Sequence, residues 1–374
     1  MQKFVLTIFE ESEQQKRLEY FQRAVAHLVK SFSSTLTPAQ TIQVYLSAGR
    51  SYETFGAWDQ ALESYRQVVR LCNSQPQYRS EKSEALRWIG HILLMRSQWQ
   101  DARESYQESV NLSHATGDQE GEAYAYNGIA CLCFEQGELA EASSHWEKSL
   151  ELAEQLDATK LIAQVYNNLG ALANVQGHWE KALTNYGESL PRFEKIGERR
   201  GLAETYHNMA MTYADAGRWP EAGAHYERSY QVAKEIGDVR LEATVKLNRV
   251  KLYIAIGDTT LAEALCHQAL QTYLHLEDHL GEAEVYKCLG MLDAERRAWA
   301  PAQSYFEKSL QITRKYRSPL CEAETHFEYG RMLRIKGITK AATTQFELAL
   351  DLFTELEAEK EIQKVKQELD ELSE

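Results

Sequence analysis

The chain has 374 residues, a formal net charge of -14, and 44% apolar against 26% charged residues. That mean field repels a phosphate backbone and argues against nucleic acid as a partner. Six cysteines are scattered without a CxxC pair, and Cys131 and Cys133 point apart on a helix, so buried thiols in a reducing compartment are expected.

The amino terminus carries a short apolar run, Phe4 to Phe9, that stops at Glu10 and Glu11. It is too short for a signal-peptide core or a membrane span, so a cytoplasmic location without direct membrane insertion is expected. Residues 12–32 predict one helix, with Leu18, Phe21, Val25, Leu28 and Phe32 on one stripe. Residues 1–40 are read as an amino-terminal capping helix region that also offers a surface for self-association. Thr37-Pro38 marks the next helix start.

From there the chain repeats. A small residue recurs at Gly49, Gly90, Ala130, Gly170, Ala210, Val250, Gly290 and Gly330, with one gap of 41 and six of 40. Alanine recurs without exception from Ala61 and Ala102 to Ala302 and Ala342. A bulky column holds Tyr65, Tyr106, Trp146, Tyr186, Tyr226, Cys266, Phe306 and Phe346. Glycine marks the turn six times, with Ser97 and Arg297 as departures, and tryptophan follows two residues later at Trp58, Trp99, Trp179, Trp219 and Trp299. Small residues let antiparallel helices approach, which predicts Gly170 against Ala182. Aromatics fill the space between hairpins, and a glycine ends each first helix. Strand-type alternation is rare, so the class is all-α.

These columns resemble the tetratricopeptide repeat, with its period of about 34 lengthened to 40. The long form is similar to the repeats of kinesin light chains, LGN/Pins polarity adaptors and many bacterial regulators. The resemblance implies a right-handed superhelical α-solenoid of eight helix-turn-helix repeats over residues 41–357, closed by a capping helix over 358–374. It also implies that a peptide or partner protein binds in the concave groove. Three places depart from the pattern. The polar Cys72–Glu81 junction holds the extra residue and predicts a first repeat hinged apart. The sixth repeat is degenerate, with Lys246, Val250, Thr259 and Cys266 in place of the usual types. Pro191 is expected to kink or end its helix.

No phosphate-binding glycine motif, GxSxG elbow or HExxH occurs. His275 and His279 have the spacing of a helical metal pair, but a solvated junction explains them better. Neither an enzyme activity nor a cofactor or metal is expected.

The groove-facing stripe of each first helix gives the candidate site. One column runs Leu46, Arg87, Asn127, Asn167, His207, Leu247, Lys287 and Phe327, and a second runs Arg50, His91, Cys131, Ala171, Met211, Lys251, Met291 and Arg331. Asn168, Asn208 and Asn248 follow the first column by one residue. Asparagine is slightly unfavourable in a helix interior, so these amides invite an explanation. They either bond the backbone of an extended peptide or bridge neighbouring first helices. Arg50, Arg87 and His91 are expected to converge near one end, and Lys251, Lys287, Arg331 and Arg334 near the other. Glu84, Glu204, Glu284 and Glu324 partly neutralise them, and this mixed charge suits a peptide with some acidic residues. The carboxylate clamp of chaperone-binding members is not reproduced, because Met291 stands where asparagine is expected.

The favoured function is a non-enzymatic scaffold or adaptor that binds a partner segment in the groove. The alternatives are a bacterial peptide-sensing regulator similar to the Rap family and a self-assembling structural protein. The region before the repeats is shorter than the Rap three-helix bundle.

Overall fold

The computed structural model describes residues 36–374, apart from 55, 74, 357 and 374, together with the single positions Tyr20 and Arg23. The expected helix over 12–32 and nearly all of the 1–40 region lie outside the described residues. Seventeen α-helices follow one another among the described residues, with no strand. The first two repeats are α1 (Pro38–Thr54) with α2 (Trp58–Cys72) and α3 (Arg79–Met95) with α4 (Trp99–Thr116). The next two are α5 (Gln119–Glu135) with α6 (Leu139–Gln155) and α7 (Thr159–Val175) with α8 (Trp179–Ile196). Then come α9 (Arg199–Asp215) with α10 (Trp219–Ile236) and α11 (Val239–Ala255) with α12 (Thr259–Leu276). The last two are α13 (His279–Glu295) with α14 (Trp299–Tyr316) and α15 (Pro319–Lys336) with α16 (Thr339–Glu355). A final helix, α17 (Glu359–Ser373), packs on α16 and α15. The fold is a right-handed superhelical α-solenoid.

Packing within a hairpin explains the columns. A Cβ on Gly170 would strike the ring of Tyr186, and Gly49, Gly90, Gly290 and Gly330 meet Tyr65, Tyr106, Phe306 and Phe346 in the same way. The small residue therefore makes room for the bulky column. On the seam that Gly170 was expected to share with buried Ala182, the side chain nearest to it is Tyr186. A buried serine adds a polar staple between the two helices. Ser149, Ser189 and Ser229 donate to the carbonyl oxygens of Ala123, Ala163 and Ala203 at 2.8, 2.8 and 2.7 Å. Five first or second helices begin on an acidic cap. Asp118, for example, accepts from the Gly121 amide at 2.8 Å.

Two expectations are corrected. The Cys72–Glu81 junction does not hinge the first repeat apart. A single 3-10 turn, Pro76–Tyr78, absorbs the extra residue, and one apolar cluster runs from Ile42 of α1 to Val165 of α7. Pro191 does not end its helix, and α8 continues to Ile196. Its missing N–H would have bonded the carbonyl of Gly187, and both residues lie on the exposed face, so the lost bond falls on the solvent side of the helix.

The turn column demands a left-handed backbone, which is why glycine dominates it. Ser97 and Arg297 adopt the same conformation, with φ of 56° and 57°. A side chain there costs about 1–2 kcal/mol. Arg297 is exposed, so Arg297→Gly is expected to stabilise the chain by roughly 1 kcal/mol once glycine's extra unfolded-state entropy is subtracted. Urea unfolding midpoints measure this; an unchanged or lower midpoint would show that no strain resides at the turn.

The superhelix is wound tightly enough for its successive turns to touch. Leu276 fills the space beside Gly56, and Leu356 the space beside Gly137, where Pro319 Cγ also approaches. Trp99 Nε1 donates to the carbonyl of Tyr316, and Arg96 reaches Glu277 at 3.5 Å as well as Asp59 at 2.9 Å. Repeats one to three thus rest, by their internal turns, on the junctions that follow repeats six to eight. Leu276 belongs to the same apolar cluster as α1 to α7.

Candidate functional site

The inner face of the first five repeats encloses an open cavity of about 820 Å³. Arg50 and Glu53 from α1, Glu84, Arg87 and His91 from α3, and Asn127 and Cys131 from α5 line it, as do Asn167 and Asn168 from α7 and Arg200 and Glu204 from α9. The structure therefore brings together Arg50, Arg87, His91, Asn127, Asn167 and Asn168 from the sequence stripe. It also adds residues that the stripe missed: Glu120, Tyr124, Lys160 and Arg200. Positions 120, 160 and 200 lie seven residues before 127, 167 and 207, on the same helical face. Extending the stripe by two turns would have found them.

The asparagines form a ladder between neighbouring first helices. Asn168 donates to Asn127 Oδ1 at 2.9 Å, Asn208 donates to Asn167 Oδ1 at 3.2 Å, and Asn248 Nδ2 lies 3.0 Å from His207 Nε2. Asn174 donates to Asp215 Oδ2 at 3.0 Å, one more rung on the same face. Each rung joins one repeat to the next, so the bridging explanation accounts for the amides as they stand. Asn127 Oδ1 also accepts from Trp146 Nε1 at 3.1 Å. Its acceptor is thereby fully used, and its amide hydrogens are left for the cavity.

Charge in the cavity is unevenly paired. Glu53 is buried, accepts from Tyr65 Oη at 2.7 Å and lies 3.5 Å from His91 Nδ1. Arg200 contacts Glu204 at 3.0 Å and Asp238 at 3.1 Å. Burial nevertheless raises the Glu204 carboxyl above its usual range, against the pull of Arg200. Arg87 lies over the Tyr124 ring at 5.4 Å and donates weakly to Ser83 and the Gly121 carbonyl. It has no carboxylate within ion-pair distance among the described residues, and burial lowers its guanidinium from the ordinary value. Glu198 caps α9 and lies 3.5 Å from Lys160. Altogether the lining holds seven carboxylates against four arginine and lysine cations.

The carboxyl-terminal candidates behave differently. Lys287 is 1% exposed and sits between Glu284, at 2.8 Å, and Glu324. It is a buried tether of α13 to α15, and the expectation of a groove-facing cation there is corrected. Desolvation opposes the charge on Lys287, but the two carboxylates raise its ammonium well above the usual value. Lys251 lies near the same group; burial is overcome by Glu324, Asp215 and Glu284, and its ammonium is also raised. Arg331 bonds Glu328 at 3.0 Å and reaches Glu368 of α17 at 3.7 Å, and Arg334 bonds Glu368 at 3.0 Å. Both arginines hold the final helix, which a sequence stripe alone does not reveal. His279 stacks on Tyr316 at 4.4 Å and faces Glu282 at 3.2 Å. Among the described residues no cluster of three or more His, Cys, Asp or Glu gathers at metal distance. None of the described helices is long and apolar enough to cross a membrane.

Paired helices at a 40-residue period, wound around an inner groove, define a helical-repeat protein. Two family models described as tetratricopeptide repeat match residues 81–155, 161–235 and 241–315, and residues 44–77. The chain belongs to the tetratricopeptide-repeat family. No curated protein matches it. Among solved structures, a Rap protein complexed with competence and sporulation factor superposes with a TM-score of 0.57 at 12% identity, covering 88% of this chain and 99% of that one. The Rap conjugation gene regulator of plasmid pLS20, in complex with the Phr* peptide, gives 0.61 at 15% identity over 74% of each chain. A STAND signal-transduction ATPase with a tetratricopeptide-repeat sensor, from Pyrococcus horikoshii, gives 0.50 at 15% identity over 91% of this chain and 54% of that one. At these identities the likeness is one of fold.

Proposed function

We propose that this protein is a non-enzymatic binding scaffold that takes a short extended peptide segment into the cavity of its first five repeats. The cavity carries the reading. At about 820 Å³ it falls within the roughly 300–1,000 Å³ of small-ligand clefts, which suits a few residues of chain and not a folded domain. The amide hydrogens of Asn127, the guanidinium of Arg87 and the Tyr124 ring supply the mixed polar and aromatic lining that an extended backbone needs. A peptide-sensing role is the natural form of this function, since one structure of similar fold is described with a bound peptide.

The surplus of carboxylates reverses the charge expected of the ligand. Seven acidic side chains line the cavity, several of them drawn in from helix starts that the sequence stripe did not include. A cationic segment fits better than an acidic one. Two pools of hexapeptides, one of net positive and one of net negative charge, test this by thermal shift. The cationic pool is expected to raise the Tm in proportion to its concentration, and the acidic pool to leave it unchanged. Glu84→Gln with Glu120→Gln should remove the cationic preference. If neither pool moves the Tm, the cavity is not a peptide site; if only the acidic pool does, the charge assignment is wrong.

A further inference from the structure

The contact that closes the superhelix is used once within the chain and leaves complementary surfaces open at its two axial ends. Leu276 and Leu356 fill the turns of Gly56 and Gly137. They belong to one column with Leu156, Ile196, Ile236 and Tyr316, each at the end of a second helix or one residue past it. Leu276 and Leu356 are 1% and 3% exposed, whereas Leu156 and Ile196 are 40% and 41% exposed. The opposite edge shows the reverse pattern. At Gly217, Gly257 and Gly337 a Cβ would meet nothing within 4 Å among the described residues, unlike at Gly56 and Gly137. Those free turns also expose Ile256, Ile335 and Ile338. Among the described residues, one end of the superhelix therefore carries knobs without sockets, and the other carries sockets without knobs.

We propose that a second copy of this chain docks end to end on the first. The junction edge of one copy, led by Leu156 and Ile196, seats on the turn edge of the other, from Gly257 through Arg297 to Gly337. The chain itself is the partner because it already contains both halves of this contact and joins them in its own seam. The seam pairs each turn with the junction five repeats later, and a copy added in that register sets Leu156 against the Gly257 turn and Ile236 against the Gly337 turn. These are the free turns that carry the exposed isoleucines. The same step places Asp157, which occupies the position of Glu277, opposite Arg296, which occupies the position of Arg96. Single apolar residues are ordinary on any surface; here Leu156 and Ile196 stand at the column position that Leu276 and Leu356 bury where the contact is made. Such an interface is heterologous, so it propagates instead of closing on a two-fold axis.

Sedimentation of the full chain from micromolar to near-millimolar concentration tests the inference. The unaltered chain is expected to gain mass beyond a dimer as concentration rises. Leu156→Asp with Ile196→Asp, on the junction edge, should give a monomer, and so should Ile256→Asp with Ile338→Asp on the turn edge. All four positions are exposed, so circular dichroism should show unchanged helicity. Mixing the two variants should restore one dimer and nothing larger, because each retains a single competent edge. A chain that stays monomeric throughout, edge variants that associate like the parent, or a mixture that does not dimerise would each overturn the proposal.

Discussion

Replacing His207 with asparagine is expected to flatten the fall in stability between neutral and mildly acidic pH. The ring sits in the position taken by Asn127 and Asn167 in earlier repeats, is 6% exposed, and lies 3.0 Å from Asn248 Nδ2. That contact needs a lone pair on Nε2, which assigns the proton of the neutral ring to Nδ1, where it is buried without a partner among the described residues. Burial, and then the nearby Arg240 guanidinium, push the imidazole down to about 4. An unfolded chain takes up this proton near pH 6.5, so the contribution is complete above that value. It is lost progressively as pH falls through the window down to the folded value, reaching roughly 3 kcal/mol. Asparagine does not titrate and extends the amide ladder by one more rung. Urea titrations of parent and variant across this window read the effect as a difference in slope. Equal slopes would show that His207 is hydrated or relaxes on protonation.

What the sequence conveys well is whatever recurs at its own period. Gly170, Tyr186 and the turn at Gly177 announce a hairpin because each hairpin repeats the same steric problem. The central part of the groove is legible for the same reason, and Arg87, Asn127 and Asn167 do line one cavity. Contacts that join different columns are not legible. Trp99 and Tyr316 lie 217 residues apart, and nothing in a 40-residue repeat says how many units complete a superhelical turn. That number is set by small rotations between hairpins, which the bulk of each packed side chain adjusts. The same gap hid the roles of Lys287 and Arg331. Both stand in groove-facing columns, yet carboxylates from the adjoining element, Glu324 in α15 and Glu368 in α17, turn them into tethers. The asparagines were ambiguous because an amide serves a neighbouring helix or a ligand equally well, and only the distance between first helices decides.

Removing both carboxylates around Lys287, by Glu284→Gln with Glu324→Gln, is expected to cost about 3–5 kcal/mol, the usual penalty for stranding a buried charge. The ammonium is 1% exposed and has no water to fall back on, whereas Glu284 and Glu324 are 32% and 36% exposed. Lys287→Met should therefore cost far less, since it leaves hydrated carboxylates and a side chain of similar length in an apolar site. Glu324 also keeps Lys251 and Lys364 nearby. Acid should act on the same joint. Burial opposes ionisation of Glu324, but Lys287 and then Lys251 hold its carboxyl below the usual range. The pair contributes fully above the unfolded value of about 4.3 and is lost as pH falls through the lower folded value. In an open repeat array such damage would stay local, because each unit leans only on its neighbours. Here α15 begins at Pro319, which with Leu356 packs on the turn of Gly137 in the third repeat. Hydrogen exchange on the double variant should thus lose protection both in α13 to α15 and around that distant turn. Loss confined to the seventh and eighth repeats would mean that the superhelical turns touch without supporting each other, and equal costs for the glutamine and methionine variants would mean that Lys287 is not a stranded charge at all.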